Sequence, residues 1–522
     1  MLAITLVHAA EPLPSEGTSG RLEPKSIAVF TLPLQAGELV QLDLAAPGWV
    51  MDVVAKTPDG TRLADYTTSI YGTNSYTRRF IAPDAGMYGV SVQNWSTSET
   101  TPFMLKITEQ KGPAEHRARM VDFEKWLSNA AQPLTRETWQ HLATEQLATT
   151  RIVGLGEPSH GGTEFWQDRL ALTLALARTG RLHSIAIELP HDELSPMNGY
   201  IQGDDVGRRK ARAALQFPLW QADGVMAFFD GLREYNTGTK NKVRLVGIDP
   251  RTSGNNEQLL QFIAKVSPAD KEAFEKLFDP QWASMAVRLL QGKGNAGDAQ
   301  ALDGPVAQGN ALLASFSTNE TDWIKATSPV EYEYAWLATN ARTRMLADYR
   351  KPFPESYSLR DKAMAEVVTS LERKLPPREI LLVLCHNAHI SKSDTGYLGN
   401  RLGNHLSEKY GKRYIAIAGS FGRGKFSAIE YGSGYRVNTY RTAAPPPETL
   451  ESYLDRSPLQ SGYLLPLSDL PEPARGWFSH PMAMRNIPAD SNATVQERQF
   501  ETVLPSRDFD YLVFHKTQTQ TD

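Results

Sequence analysis

The chain has 522 residues, is 41 % apolar and 22 % charged, and carries a net charge of −4 with no basic stripe and no acidic tail. That balance argues against nucleic acid or an anionic membrane as the main partner, and no run of about 18 apolar residues supplies a transmembrane helix. A chain of this length exceeds one hydrophobic core, so two or three domains are expected. The single cysteine, Cys385, excludes an intrachain disulfide and any cysteine-rich metal site.

Residues 1–10 form an apolar run ending in small residues, ahead of the polar Glu11-Pro12-Leu13-Pro14-Ser15. They read as the remnant of a secretory signal cleaved near Val7-His8-Ala9, which predicts a periplasmic or secreted protein. If the run is not a signal, a cytoplasmic protein follows. Residues 20–110 read as all-β. Short alternating runs at 26–32, 39–44, 51–55, 77–82 and 86–92 are separated by turns such as Ala46-Pro47-Gly48 and Pro58-Asp59-Gly60, the pattern of a small β-sandwich. The apolar strand, Asp-Gly turn and Ala85-Gly86-Met87-Tyr88-Gly89-Val90-Ser91-Val92 together resemble the accessory β-sandwich beside secreted bacterial peptidases and esterases. That resemblance implies a binding or stabilising module.

From residue 112 the period changes. Helical patterning over 116–150, with Met120, Phe123, Trp126 and Leu127, precedes continuous apolar runs at 151–156, 183–188, 243–249, 379–385, 413–418 and 510–514. Such runs alternating with helices predict an α/β fold with a mostly parallel sheet flanked by helices. Residues 255–375 are mainly helical, with no convincing strand, and read as an insertion or cap. The expected layout is therefore a signal remnant at 1–10, a β-sandwich at 20–110 and an α/β domain at 112–522. Ala443-Ala444-Pro445-Pro446-Pro447 reads as a spacer inside the last of these.

Ligands of parallel sheets bind beyond the carboxyl ends of the strands. Those ends carry Glu157 and His160, Glu188, Asp249, and the group His386, Asn387 and His389. His160 sits in a Gly-Pro-Gly turn just before a helix, whose positive dipole end disfavours imidazolium and leaves the ring available as a base. Glu157 is placed to hold its other nitrogen or a water. Arg169, two turns along, can bind a carboxylate, hold Glu157 or stabilise developing negative charge. Glu164 reads as dipole or capping chemistry, Ser159 as a weak nucleophile candidate, and Cys385 as inert. No Gly-x-Ser-x-Gly elbow, dinucleotide fingerprint, Walker loop or His-Glu-x-x-His motif is present; Gly419-Ser420-Phe421-Gly422-Arg423-Gly424 only superficially resembles a phosphate loop.

The turn Gly156-Glu157-Pro158-Ser159-His160-Gly161 with Arg169 resembles the signature of the erythromycin esterase family. Further matches follow in family order: Ala186-Ile187-Glu188, Tyr200-Ile201-Gln202-Gly203, Phe217-Pro218-Leu219-Trp220, Leu232-Arg233-Glu234-Tyr235-Asn236, Val246-Gly247-Ile248-Asp249, Arg360-Asp361-Lys362-Ala363-Met364-Ala365-Glu366, His386-Asn387-Ala388-His389 and Phe509-Asp510-Tyr511-Leu512-Val513-Phe514. The chain departs from the pattern at Val367, where the family carries Asn, and in Leu245-Val246-Gly247-Ile248-Asp249, where the family's strand usually reads an aromatic Tyr-Gly-Leu/Ile-Asp. The resemblance covers about residues 115–520. It implies hydrolysis of an ester or lactone, a macrolactone foremost, by a water that His160 activates as general base. Glu157, Arg169, Glu188, His386 and His389 are implied as catalytic, and Asn387, Asp249, Trp220 and Arg360 as substrate-binding. The expected partner is a small-molecule ester with no cofactor. A divalent metal held by His160, His386, His389 and a carboxylate, a biosynthetic acyl transfer or cyclisation, and a non-catalytic binding role stay open as alternatives.

Overall fold

The computed structural model describes residues 5–6, 10–46, 51–63, 75–251, 254, 256–351, 355–393, 399–430, 436–489 and 496–520. Most of the expected signal remnant and the Pro47-Gly48 turn lie outside the described residues.

The N-terminal region is a sandwich of two sheets. One orders Thr5–Leu6, Ser26–Leu34, Gly86–Asn94 and Met51–Lys56, with Glu11–Pro12 also on Ser26–Leu34. The other orders Thr18–Leu22, Thr101–Lys111, Leu39–Ala45 and Ser75–Ile81. Alternation puts one side of each strand inside: Ala28, Phe30, Leu32 and Leu34 from one sheet meet Val40, Leu42, Leu44 and Leu105 from the other. Thr18–Leu22 and Thr101–Lys111 had no apolar run to announce them. The latter buries only every second residue over its first half and pairs along both edges.

The second domain is built on a mixed sheet with seven main strands: β1 Ile152–Leu155, β2 Leu182–Ile187, β3 Arg244–Gly247, β4 Ile380–Leu384, β5 Tyr414–Glu430, β6 Tyr463–Pro466 and β7 Tyr511–Gln518. Their order is β6-β7-β5-β1-β4-β2-β3, with Gln132–Pro133 beside β6. All neighbours from β7 to β3 are parallel, while β6 runs antiparallel to β7. The apolar runs are continuous because both faces are covered. Ile152, Leu381 and Val383 face one core, and Val153, Leu382 and Leu384 the other. Each such side chain contributes about 1.5–3 kcal/mol on burial. β5 is far longer than its apolar start: it continues through Gly419–Gly424, the segment resembling a phosphate loop, and pairs beyond it with the antiparallel strand Arg436–Thr442.

The chain passes from β1 to β2 and β3, then returns to insert β4 between β1 and β2, and places β5 on the other side of β1. Strand order thus reverses around β1, the topological position where open α/β sheets bind ligands. Between β3 and β4 lie the helices from Glu257–Val266 to Glu355–Arg373. Most share a core of their own around Phe262, Phe274, Phe316, Trp323 and Tyr332. The last, Glu355–Arg373, packs Met364, Val368 and Leu371 onto the sheet.

The strand ends are clamped by one side chain. Asn387 Nδ2 donates to the Gly419 carbonyl at 2.7 Å and its Oδ1 accepts from Gly419 N at 3.0 Å. This geometry requires a glycine opposite: a Cβ on Gly156 would lie 2.2 Å from Asn387 Oδ1 and 3.1 Å from its Cα. Gly156→Ala is expected to destabilise the domain by about 1–3 kcal/mol through overpacking. An unchanged midpoint of fluorescence-monitored thermal unfolding would show that the clamp relaxes freely.

Candidate active site

Past β1 the backbone stays in register with its neighbours. Gly156 N donates to Ile417 O at 2.9 Å, Glu157 N to Cys385 O at 3.2 Å, and Asn387 N to Glu157 O at 2.9 Å. The turn then swings through Gly161, at φ +81°, into the helix Thr163–Arg178. His160 lies in that turn, and its Nδ1 is 3.0 Å from Glu157 Oε1. Arg169 Nη1 stands 3.2 Å from the other carboxylate oxygen, and Nη2 donates to the Cys385 carbonyl at 2.8 Å. Arg169 is fully buried and lies 4.4 Å from the ring centre of Trp166, which Trp220 meets edge-on at 5.4 Å. His160 keeps 13 % of its side-chain surface, whereas Glu157 keeps 2 % and Arg169 1 %. The histidine is therefore the solvent-facing end of a row whose other members lie inside.

A second group occupies the ends of β2, β3 and β4. Arg360 donates through Nη2 to Glu188 Oε1 at 2.8 Å and to Asp249 Oδ2 at 2.6 Å, and through Nε to Asp249 Oδ1 at 3.1 Å. Asp249 also receives Arg251 Nε at 2.7 Å. Burial works against each charge, but the pairing outweighs it. His389 and Arg360 hold Glu188 well below the usual carboxylate range, Arg251 and Arg360 lower Asp249, and Asp249 and Glu188 raise Arg360.

His386 and His389 share one turn of helix, Asn387–Ile390 with His386 as its cap, yet they are set to opposite states. His389 places Nδ1 2.5 Å from Asp361 Oδ1 and Nε2 3.1 Å from Glu188 Oε1. Burial opposes its charge, but these two carboxylates push its pKa up to about 9. His386 donates Nε2 to the Ile487 carbonyl at 3.2 Å, and its backbone N donates to Glu188 Oε2 at 3.0 Å. Burial, then the neighbouring His160, hold it well below the usual histidine range, so it is neutral. Its ring centre is 5.2 Å from that of His160.

The structure thus brings His160, Glu157, Arg169 and His386 together, and joins Glu188, Asp249, Arg360 and His389 beside them. Two residues expected to bind substrate are turned inward instead. Trp220 braces Trp166 in the core, and both ends of the Asn387 amide are occupied by Gly419. Their polar or aromatic character serves packing at these positions. Ser159 is fully buried on Gln518 at 2.9–3.1 Å, Cys385 is a buried thiol whose pKa burial raises, and Glu164 binds Thr519.

Sequence reasoning missed Asp361, Phe217, Ile487, Arg251 and Glu193 as individual contributors. Asp361 and Phe217 fell inside quoted motifs. Phe217 stands edge-on to His160 at 6.1 Å. Glu193, raised to about 7 by burial, accepts from Gln216 N at 2.8 Å, next to that phenylalanine. Ile487 acts through its backbone, which no side-chain pattern announces. Among the described residues, no three His, Cys, Asp or Glu side chains converge as a metal site.

A sheet whose strand order reverses at a cluster of histidines, carboxylates and arginines defines an α/β protein with its polar site at the carboxyl edge. A family model described as "Erythromycin esterase" matches residues 182–518, and the chain belongs to the erythromycin esterase family. Erythromycin esterase type II of Escherichia coli is 22 % identical over 384 residues, covering 68 % of this chain and 86 % of the relative. Erythromycin esterase type I of Escherichia coli is 24 % identical over 357 residues, covering 64 % and 86 %. Among solved structures, a Bacillus cereus protein aligns with a TM-score of 0.64 at 18 % identity over 77 % of this chain and 98 % of its own. A mutant erythromycin esterase, EreC, in its open conformation aligns at 0.56 and 20 % identity over 73 % and 94 %. The structural likenesses establish the fold.

The charged state of His389 can be tested through stability. Its folded pKa of about 9 exceeds the unfolded value of about 6.5, so its contribution is complete below the latter and is lost as pH rises through the former. Asp361→Asn removes one of its two carboxylates. The gap in thermal midpoint between wild type and variant should be largest near neutral pH and shrink by about pH 9.5. A gap that widens over that window would contradict a protonated His389.

Proposed function

We propose that the protein is a hydrolase that cleaves a carboxylic ester or lactone of a small molecule with a water activated by His160. The observation that carries this reading is the His160–Glu157–Arg169 row. Glu157 accepts from Nδ1 at 3.0 Å while Arg169 pairs with its second oxygen at 3.2 Å. A proton on Nδ1 leaves a lone pair on Nε2, at the end of the row that solvent reaches. A base oriented by a third group is the arrangement that nucleophile activation requires.

In the proposed reaction Nε2 of His160 takes a proton from water as the water oxygen bonds to the ester carbonyl carbon. The carbonyl π pair moves onto oxygen. When that intermediate collapses, the bond to the alcohol oxygen breaks, and the imidazolium returns its proton to the leaving alkoxide. Acid and alcohol result, and His160 is restored. Arg169, buried behind Glu157, acts by holding that carboxylate in place. His386, kept neutral with Nε2–H committed to Ile487, retains Nδ1 as an acceptor and adds no positive charge beside the base. Phe217 forms an apolar wall against the imidazole.

For the substrate we favour a macrolactone, because the two Escherichia coli relatives bear the name erythromycin esterase. Substrate choice would lie in the helices between β3 and β4 and in the strand-end loops, which differ most readily within a family. Chelator-treated wild type and His160→Ala, assayed by mass spectrometry on macrolactones and simple esters, test the reading. His160→Ala should lower kcat by roughly 10²–10⁴-fold with the fold intact. Turnover near that of wild type in the variant would remove His160 as the base. Activity lost on chelation and restored by a divalent ion would replace the metal-free mechanism.

A further inference from the structure

The β-sandwich meets the α/β domain at a buried cation. Arg79, on the strand Ser75–Ile81, has a side chain only 4 % exposed; Glu109 of its own sheet lies at 3.1 Å and Glu448 of the other domain at 3.6 Å. Its guanidinium lies 4.8 Å from the ring centre of the buried Trp477, which Arg119 also approaches at 5.3 Å. Arg119 in turn pairs with Glu109. Glu448 itself holds a left-handed backbone, φ +65°, a conformation that L side chains disfavour. The Tyr453 hydroxyl donates to its carboxyl group, and Arg79 faces the same oxygen as an ion pair at 3.6 Å.

From Glu448 a short series of contacts leads to the active site. Thr449 forms a parallel bridge with Ala483. The fully buried Glu451 accepts from Arg485 N at 2.7 Å and from the Ser420 hydroxyl at 2.5 Å. Two residues beyond Arg485, Ile487 N donates to the Pro158 carbonyl at 2.7 Å, and the Ile487 carbonyl receives His386 Nε2 at 3.2 Å. One backbone residue thus touches both the His160 turn and His386, and the segment that presents it is fixed by contacts within a few residues of the domain interface.

We propose that Arg79 of the β-sandwich is a positioning residue for the active site: by holding Glu448 it fixes the 448–487 segment, and the Ile487 carbonyl then sets the tautomer and orientation of His386. The inference rests on reading His386 as part of the hydrolytic site. Its physical basis is that the Ile487 carbonyl can only accept, so the nitrogen facing it must carry the proton. Glu109 keeps Arg119 when Arg79 is removed, but Glu448, whose carboxyl burial already pushes up, loses the cation nearest to it. The backbone that carries Thr449 and Glu451 then has reason to move.

The test uses full-length chain with 15N-labelled histidine, with far-UV circular dichroism confirming the fold of each variant. In wild type His386 gives the Nε2–H tautomer between about pH 6 and 8. In Arg79→Ala this signature shifts toward the other tautomer or a mixture, and kcat on the ester substrate falls about 10-fold or more with KM little changed, the cost of a misplaced catalytic group. Arg79→Lys, which keeps the charge but not the stacked plane, restores the signature in part. Glu448→Gln reproduces it from the other side of the interface and decides the matter if Arg79→Ala does not fold. Wild-type signature and wild-type kcat in these variants, with only a lower melting temperature, would overturn the proposal and leave the sandwich a stabiliser. The imidazole signature needs no substrate. Failure to find any ester turnover would therefore count against the proposed reaction alone, and this inference would stand or fall on the tautomer.

Discussion

Charge removed from water has to be neutralised where it sits, and the carboxyl edge of this sheet is arranged around that requirement. Glu188 follows β2, Asp249 follows β3 and Asp361 lies on the helix Glu355–Arg373, and together they enclose Arg360 and His389. Removing one partner from such a group strands the others and costs about 3–5 kcal/mol. The network therefore locates three separately folded segments relative to one another. Much else depends on it: Glu188 spends its second oxygen on the backbone of His386, and so ties the second group to the first.

The same surroundings set three imidazoles to three different tasks. His389 lies between two carboxylates and is held as a cation; His386 faces a carbonyl and a second histidine, and is held neutral. His160 has one carboxylate and a partly open side. Composition cannot distinguish these residues. Their neighbours do, because a few ångströms separate an ion pair from a bare desolvation cost. Of the three, His160 combines an orienting partner with access to solvent, which is why the proposed chemistry centres on it.

The site is closed by parts of the chain remote from the strand ends that define it. Phe217 comes from the segment after β2, Ile487 from the segment after β6, and Asp361 from the last helix before β4. The β-sandwich reaches the second domain through Arg79, beside the helix Leu450–Leu454 that supports Arg485. A module that sequence patterning marks only as separate is thus packed, with its charges paired, against the segment presenting Ile487.

Patterning along the chain determined much of this. Unbroken apolar runs require a sheet buried on both faces, and the shift from alternating strands to strand–helix repeats marks the domain change near residue 112. The turn from Gly156 to His160 declares itself because glycines, a histidine and an acidic residue sit between a strand and a helix. What local pattern lacks is any record of which distant group arrives opposite. Asn387 and Trp220 look like site residues in isolation and become packing residues only when Gly419 and Trp166 meet them. The run of β5 beyond Ala418 is hidden by small and polar residues until β7 and Arg436–Thr442 pair with it. The placement of Ile487 and Arg79 could be read only from the tertiary structure: a backbone carbonyl carries no side-chain signature, and nothing near Arg79 in the chain announces the Glu448 and Trp477 it meets.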